Sequence, residues 1–231
     1  MRTKLLLIVL CPFIISYSAF SQQSRGILKA GVNLANVSIT DNGNIDDANM
    51  LTSFQVGVLG DFHVTSLLYF QPGLVFTGKG SKIEIGRPTE NLYVKQTSNP
   101  FYIEVPANFV IKLPFNSESH FFVGAGPYGA IGISGKAKTD ATALGFSSHS
   151  ENTIEFSNDD PATFGQEEGT GLGVLRRFDY GLNGTIGIEG KKLVLSAGYG
   201  LGLAKLQSGS NSGEDNNNKH RVLSFTVGVK L

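Results

Sequence analysis

The chain has 231 residues with 19 basic and 19 acidic side chains, 16% charged overall against roughly 25% in ordinary soluble domains. No basic excess points to nucleic acid, and the single cysteine excludes a disulfide framework or a thiolate metal cluster. Glycine reaches 29 residues and tryptophan is absent, so the remaining class is a β-rich chain with few charges.

Residues 1–21 carry Arg2 and Lys4, an apolar run from Leu5 to Ile15, and small residues at Ala19 and Ser21. That order predicts a secretory signal peptide cleaved after Ser21, with an apolar core too short to span a bilayer. Cys11 falls inside it, flanked by Leu10 and Pro12, which does not suit a lipoprotein cleavage site. Setting Arg2 and Lys4 aside reduces the 19 basic residues to 17, against 19 acidic ones, a net charge of about −2 for residues 22–231.

Eight segments then show the side-chain alternation of a strand. "GILKAGVNLAN" puts Leu28, Ala30, Val32 and Leu34 on one face, and "SFQVGVLGDFHV" puts Phe54, Val56, Val58, Phe62 and Val64 there. "LYFQPGLVFT" gives Leu68, Phe70, Leu74 and Phe76; "FYIEVPANFVIKL" gives Ile103, Val105, Ala107, Phe109, Ile111 and Leu113. "FFVGAGPYGAIGISG", "RFDYGLNGTIGIE", "LVLSAGYGLGL" and "LSFTVGVKL" continue the pattern to Leu231.

Short connections near Thr65–Leu67, Pro114–Ser119 and Gly190–Lys192 alternate with long polar ones at 38–51, 78–99, 135–173 and 207–219. The expectation is an all-β fold: an eight-stranded antiparallel up-and-down transmembrane β-barrel with short periplasmic turns and long extracellular loops. The second face holds glycine, asparagine, glutamine and charged residues, which a soluble core would bury at a cost of several kcal/mol per unpaired group. The apolar face therefore meets lipid, and the alternative of a soluble periplasmic ligand-binding barrel would need the faces reversed. Phe54 with Phe76, and Phe62 with Phe70, mark two interfaces; eight residues at ~3.3 Å and ~40° tilt separate them by roughly 20 Å. Mid-strand Pro72, Pro106 and Pro127 predict β-bulges.

Gly124, Gly126 and Gly129 match GxGxxG, but Pro127 and "AIGISG" start no helix, so the glycines are packing residues of a narrow lumen. "DNGNIDD" lacks an EF-hand's third ligand at Gly43, and "SSHSE" is adjacency without triad geometry. Sequons at Asn36 and Asn183 fall in or beside strands. Parity places Lys29, Asp61, Glu104, Lys112, Arg177, Asp179, Glu189 and Lys230 inward, four acids and four bases. Balanced ions suggest pairs that plug the lumen. Neither a cofactor nor a catalytic group is called for.

"ILKAGVNLANVS", "YFQPGLVFTGKG", "YIEVPANFVIK", "GAGPYGAIG" and "RRFDYGLNGTIGIE", in that order, resemble the PorT-type outer-membrane β-barrel proteins of Bacteroidetes. The resemblance implies an eight-stranded barrel in the outer membrane, in contact with membrane lipid, exported by its signal peptide and folded by the barrel-assembly machinery. It also implies, for the namesake, an accessory part in a protein secretion system. The chain ends in Leu231, where many outer-membrane barrels end in phenylalanine. The expected function is that of a non-enzymatic outer-membrane protein acting through its extracellular loops, on an extracellular or envelope partner, or as an envelope component. Among those loops, 135–173 holds Phe146, Ile154, Phe156 and Phe164 and is long enough to fold over the barrel mouth.

Overall fold

All eight alternating segments are strands in the computed structural model, which describes residues 25–41, 44–46, 50–86, 92–143, 146–157, 174–204, 206 and 219–231. Residues 1–21, expected to form a signal peptide, and Gly43 and Phe164 lie outside them. Among the described residues thirteen strands are formed: β1 (Arg25–Asp41), β2 (Asn44–Asp46), β3 (Leu51–His63), β4 (Leu68–Gly78), β5 (Ser81–Ile85), β6 (Leu92–Pro114) and β7 (His120–Ala143). The remainder are β8 (Phe146–Thr153), β9 (Glu155–Ser157), β10 (Val174–Arg176), β11 (Phe178–Glu189), β12 (Leu193–Gly202) and β13 (Lys219–Lys230).

Eight of them close a ring in the order β1-β3-β4-β6-β7-β11-β12-β13, every pairing antiparallel. First and last strands meet, with Leu231 N–H donating to Gly26 C=O at 2.8 Å. Tight turns follow β3, β6 and β11, two of them closed by Thr65 N–H to Leu68 C=O (3.0 Å) and Gly190 N–H to Leu193 C=O (2.8 Å).

The faces are those of a membrane barrel. Leu28, Phe54 and Val227 are 48%, 50% and 53% exposed, while Asn33 is 0% exposed and Gln55, Gln71 and Asn108 are buried between strands. A soluble barrel would bury the first set, so the reversed arrangement is excluded. Phe54 and Phe76 lie 5.7 Å apart at one rim, and Phe62 pairs with Phe70 toward the other.

Two expectations need correction. The outer halves of β6 and β7, within what reads as loops 78–99 and 135–173, are paired strand from Leu92↔Ala143 to Pro100↔Gly135. Flanked by β5 and β8, they make a four-stranded sheet beyond the lipid belt. "KAKTDATA" puts only alanines and Thr139 on its less polar face, because neither face meets the apolar belt of the membrane, so the period-two signal fades.

The prolines cause no bulge. Pro72 pairs with Ala107, Pro106 with Tyr128 and Pro127 with Leu182, and each lacks a partner only on its other flank. A residue in an antiparallel ladder points its N–H at one neighbour, so proline removes a bond on one side and leaves the register intact. The register shift lies elsewhere: Tyr102 faces Gly132 while Phe101 faces Ser134, which makes Ile133 the extra residue.

The glycines are where strands crowd. A Cβ on Gly126 would stand 2.1 Å from Ala107 C=O, and one on Gly132 2.2 Å from the Phe156 ring, whereas Gly129 faces open space.

Candidate functional site

Inward alternation brings charged side chains from distant strands into two clusters. Nearer the turns, Lys112 Nζ (β6) sits 2.6 Å from Asp61 Oδ2 (β3) and 2.9 Å from Glu189 Oε2 (β11). Lys230 Nζ lies 3.0 Å from the other Glu189 oxygen, and Gln71 Nε2 donates to Asp61 Oδ1 at 2.9 Å. The Lys112 ammonium also lies 4.2 Å from the centre of the Tyr69 ring. Each carboxylate therefore meets more than one donor, the condition under which a buried ion pair offsets its desolvation.

Nearer the external mouth, Lys79 Nζ lies 2.7 Å from Glu104 Oε2 and 2.9 Å from Asp179 Oδ2. Tyr128 O–H donates to the same Asp179 oxygen at 3.1 Å, its ring lies 3.9 Å from the Lys79 ammonium, and Asn183 Nδ2 donates to Glu104 at 2.9 Å. His220 Nε2 contacts Tyr102 Oη at 3.2 Å beside this cluster.

Lys29 stands between the two, flanked across the ladders by Gly57 and Gly228, with no ion-pair partner among the described residues. It lines a cavity of about 90 Å³ together with Asn33, Gln55, Asn108, Ser224 and Thr226. Asn33 Oδ1 and Asn108 Oδ1 are buried there without a partner among the described residues, so this middle section is polar space with room for a few waters.

Arg177 does not belong to the lumen. It is exposed and donates to Phe156 C=O at 3.0 Å. The chain bends at Arg177 between β10 and β11, so the barrel alternation starts only at β11, with Phe178 outward and Asp179 inward. Lys79 occupies the place expected for it. Continuing β4's inward parity two residues past Thr77 finds Lys79, but the expected strand stops where the long connection 78–99 begins, with Gly78 and Gly80 on either side of Lys79. These glycines are close-packing positions: a Cβ on Gly80 would stand 2.3 Å from the Leu51 side chain.

Above the outer cluster, Val37, Ala137, Ile154, Leu175 and Leu206 form an apolar cap, with Phe156 packed against it and edge-on to Tyr102 at 5.6 Å. Phe146, by contrast, is 82% exposed. "SSHSE" is strand rather than loop; His149 Nδ1 lies 2.5 Å from Asp140 Oδ1 across the β7–β8 ladder, in the open. Glu151 receives Lys136 at 2.5 Å and Lys138 at 3.0 Å, and these hydrogen bonds hold its carboxyl down to about 2. Among the described residues no three His, Cys, Asp or Glu side chains converge as a metal site.

Comparison with known proteins adds the family. No curated protein matches the chain. Among solved structures, the chain is similar to Ail of Yersinia pestis (13% identity, 91% of this chain and 100% of that one, TM-score 0.39). It is also similar to Neisserial surface protein A (14%, 91% and 100%, 0.41) and to OprG from Pseudomonas aeruginosa (14%, 90% and 96%, 0.37). Residues 20–208 match the family described as outer membrane protein beta-barrel domain. That match agrees with a closed ring whose apolar side chains face outward and whose ions face in: the chain belongs to this family of outer-membrane β-barrels.

Proposed function

We propose that this outer-membrane protein is a closed, non-enzymatic barrel that acts through its external sheet and loops, as a binding surface or an envelope component. The observation that carries the reading is the lumen obstructed at two levels, by Lys112 between Asp61 and Glu189 and by Lys79 between Glu104 and Asp179. An eight-stranded barrel has little interior beyond what such side chains fill. The lumen ion pairs are then structural, and function falls to the parts that stand clear of the bilayer. Export by the signal peptide of residues 1–21, folding of residues 22–231 by the barrel-assembly machinery, and an extracellular or envelope partner belong to the same proposal. The accessory role in secretion rests on the PorT-type resemblance alone.

Two measurements test the reading together. In planar bilayers the purified protein gives no steady conductance, whereas a pore would give a defined single-channel step. On cells, replacing 146–171 with a short Gly-Ser linker removes surface binding, while the barrel still shifts in mobility on boiling in SDS. A conducting wild type, or binding that survives the replacement, overturns the proposal.

A further inference from the structure

We propose that the outward face of the external sheet, where it leaves the bilayer, is a binding site for the phosphate groups of outer-leaflet lipid, formed by Lys82, Lys136 and Lys138. The floor of the site is the aromatic rim. Phe54, Phe76 and Phe101 form a three-ring patch with centroids 5.2 to 5.7 Å apart, on the same outward face as the lipid-facing side chains. Directly beyond it, Asn99 faces Lys136, and the next row runs Lys82, Thr97, Lys138, Glu151 across β5, β6, β7 and β8. Four residues at ~3.3 Å, tilted by ~40°, put Thr97 roughly 10 Å above Phe101, the depth of a headgroup layer over an apolar belt.

The cations reach this face because of one inserted residue. Along β7, Phe122, Tyr128 and Ala130 point inward; past Ile133 the parity is reversed, so Ala137 is buried while Lys136 and Lys138 are 67% and 48% exposed at the side chain. Without the bulge the two lysines would face the apolar cap. The lysines are only partly neutralised within the protein: Lys136 and Lys138 share one carboxylate, Glu151, while Lys82 lies 2.6 Å from Glu84. Two cations on one carboxylate leave room for a second anion. Connections 158–173 and 207–218, by contrast, hold six acidic residues and no basic one, so the basic cluster coincides with the sheet that continues the lipid-facing surface. Thr97 and Asn99 supply uncharged donors between the lysines, and the rings beneath suit an acyl chain. A phosphate monoester on a lipid matches both halves; free phosphate matches only the upper one.

The test uses the purified full barrel in a neutral detergent, titrated with short-chain phosphatidic acid or with phosphatidylcholine of equal chain length. Binding is read by native mass spectrometry, and folding by mobility shift. Wild type prefers phosphatidic acid at least tenfold, and K82Q/K136Q/K138Q loses that preference. Glu151→Gln keeps every lysine, removes the competing carboxylate and strengthens binding several-fold, an independent reading should the triple variant fail to fold. Inorganic phosphate in millimolar excess displaces the lipid only weakly. Equal affinity for the two lipids, an unchanged preference in a folded triple variant, or no gain in Glu151→Gln overturns the site; full displacement by inorganic phosphate makes it a free-anion site instead.

Discussion

Lys112 is the side chain on which the inner cluster depends, because it touches two acids that have few other cations within reach. Lys112→Ala leaves Asp61 without its ion-pair partner and Glu189 with Lys230 and the more distant His120, and breaking a buried pair from one side costs about 3–5 kcal/mol. Urea unfolding in micelles, followed by circular dichroism, should show a loss of that size. The same substitution opens the inner constriction, so it is also the first variant in which to look for conductance. Glu151 makes a different prediction. Its carboxyl is held at about 2 by hydrogen bonds from Lys136 and Lys138, below the usual carboxylate range. A depressed folded value means the contribution is present above the ordinary carboxylate range and is lost as pH falls toward 2. Carboxyl NMR should place the Glu151 midpoint near 2 in wild type and return it to the ordinary range in K136Q/K138Q.

Strands show where reading the chain works and where it stops. The membrane-crossing strands announce themselves because one face must be apolar, and "FTVGV" or "QVGVLG" admits no other period. Beyond the lipid that condition lapses, so Leu92–Pro100 and the outer part of β7 pair without announcing it. Lumen contents were legible as a parity and not as partners: alternation pointed Asp61, Lys112 and Glu189 inward, yet nothing local says that these three meet. Lys79 hid behind glycines that serve close packing, and Arg177 followed a parity that the bend before β11 breaks. The bulge at Ile133 carries no signature beyond one isoleucine too many. It has a testable effect. The only cysteine, Cys11, precedes the described barrel, so Lys138→Cys gives a clean reporter. An impermeant maleimide should label it readily on cells, and deleting Ile133 as well should slow labelling sharply, because residue 138 then turns toward the mouth.

Orientation of the molecule in lipid rests on an outward apolar face and can be read with one probe. The chain has no tryptophan, so a single introduced one reports alone. Val227→Trp, on the outward face of β13, should be strongly quenched by bromine-labelled lipid; a tryptophan at Gln55, inside the lumen, should not. Comparable quenching at both positions would mean that the lumen is open to lipid.

The join between β1 and β13 governs how such a molecule can be made. Ile27 pairs with Lys230, and the Leu231 amide bonds to Gly26, so the ring's last seam unites the first and last strands of the barrel. Until that seam forms, the sheet has two free edges, each an invitation to pair with the wrong strand. Contacts spanning nearly the whole chain form slowly, because loop-closure entropy opposes them before any contact repays it. Sealing is therefore the vulnerable moment, a reason for a chaperone to hold one edge while the other arrives. Because the joined ends lie side by side at the short-turn rim, linking them covalently and cutting the chain within 207–218 should give a permuted barrel whose closing seam has moved to a different pair of strands.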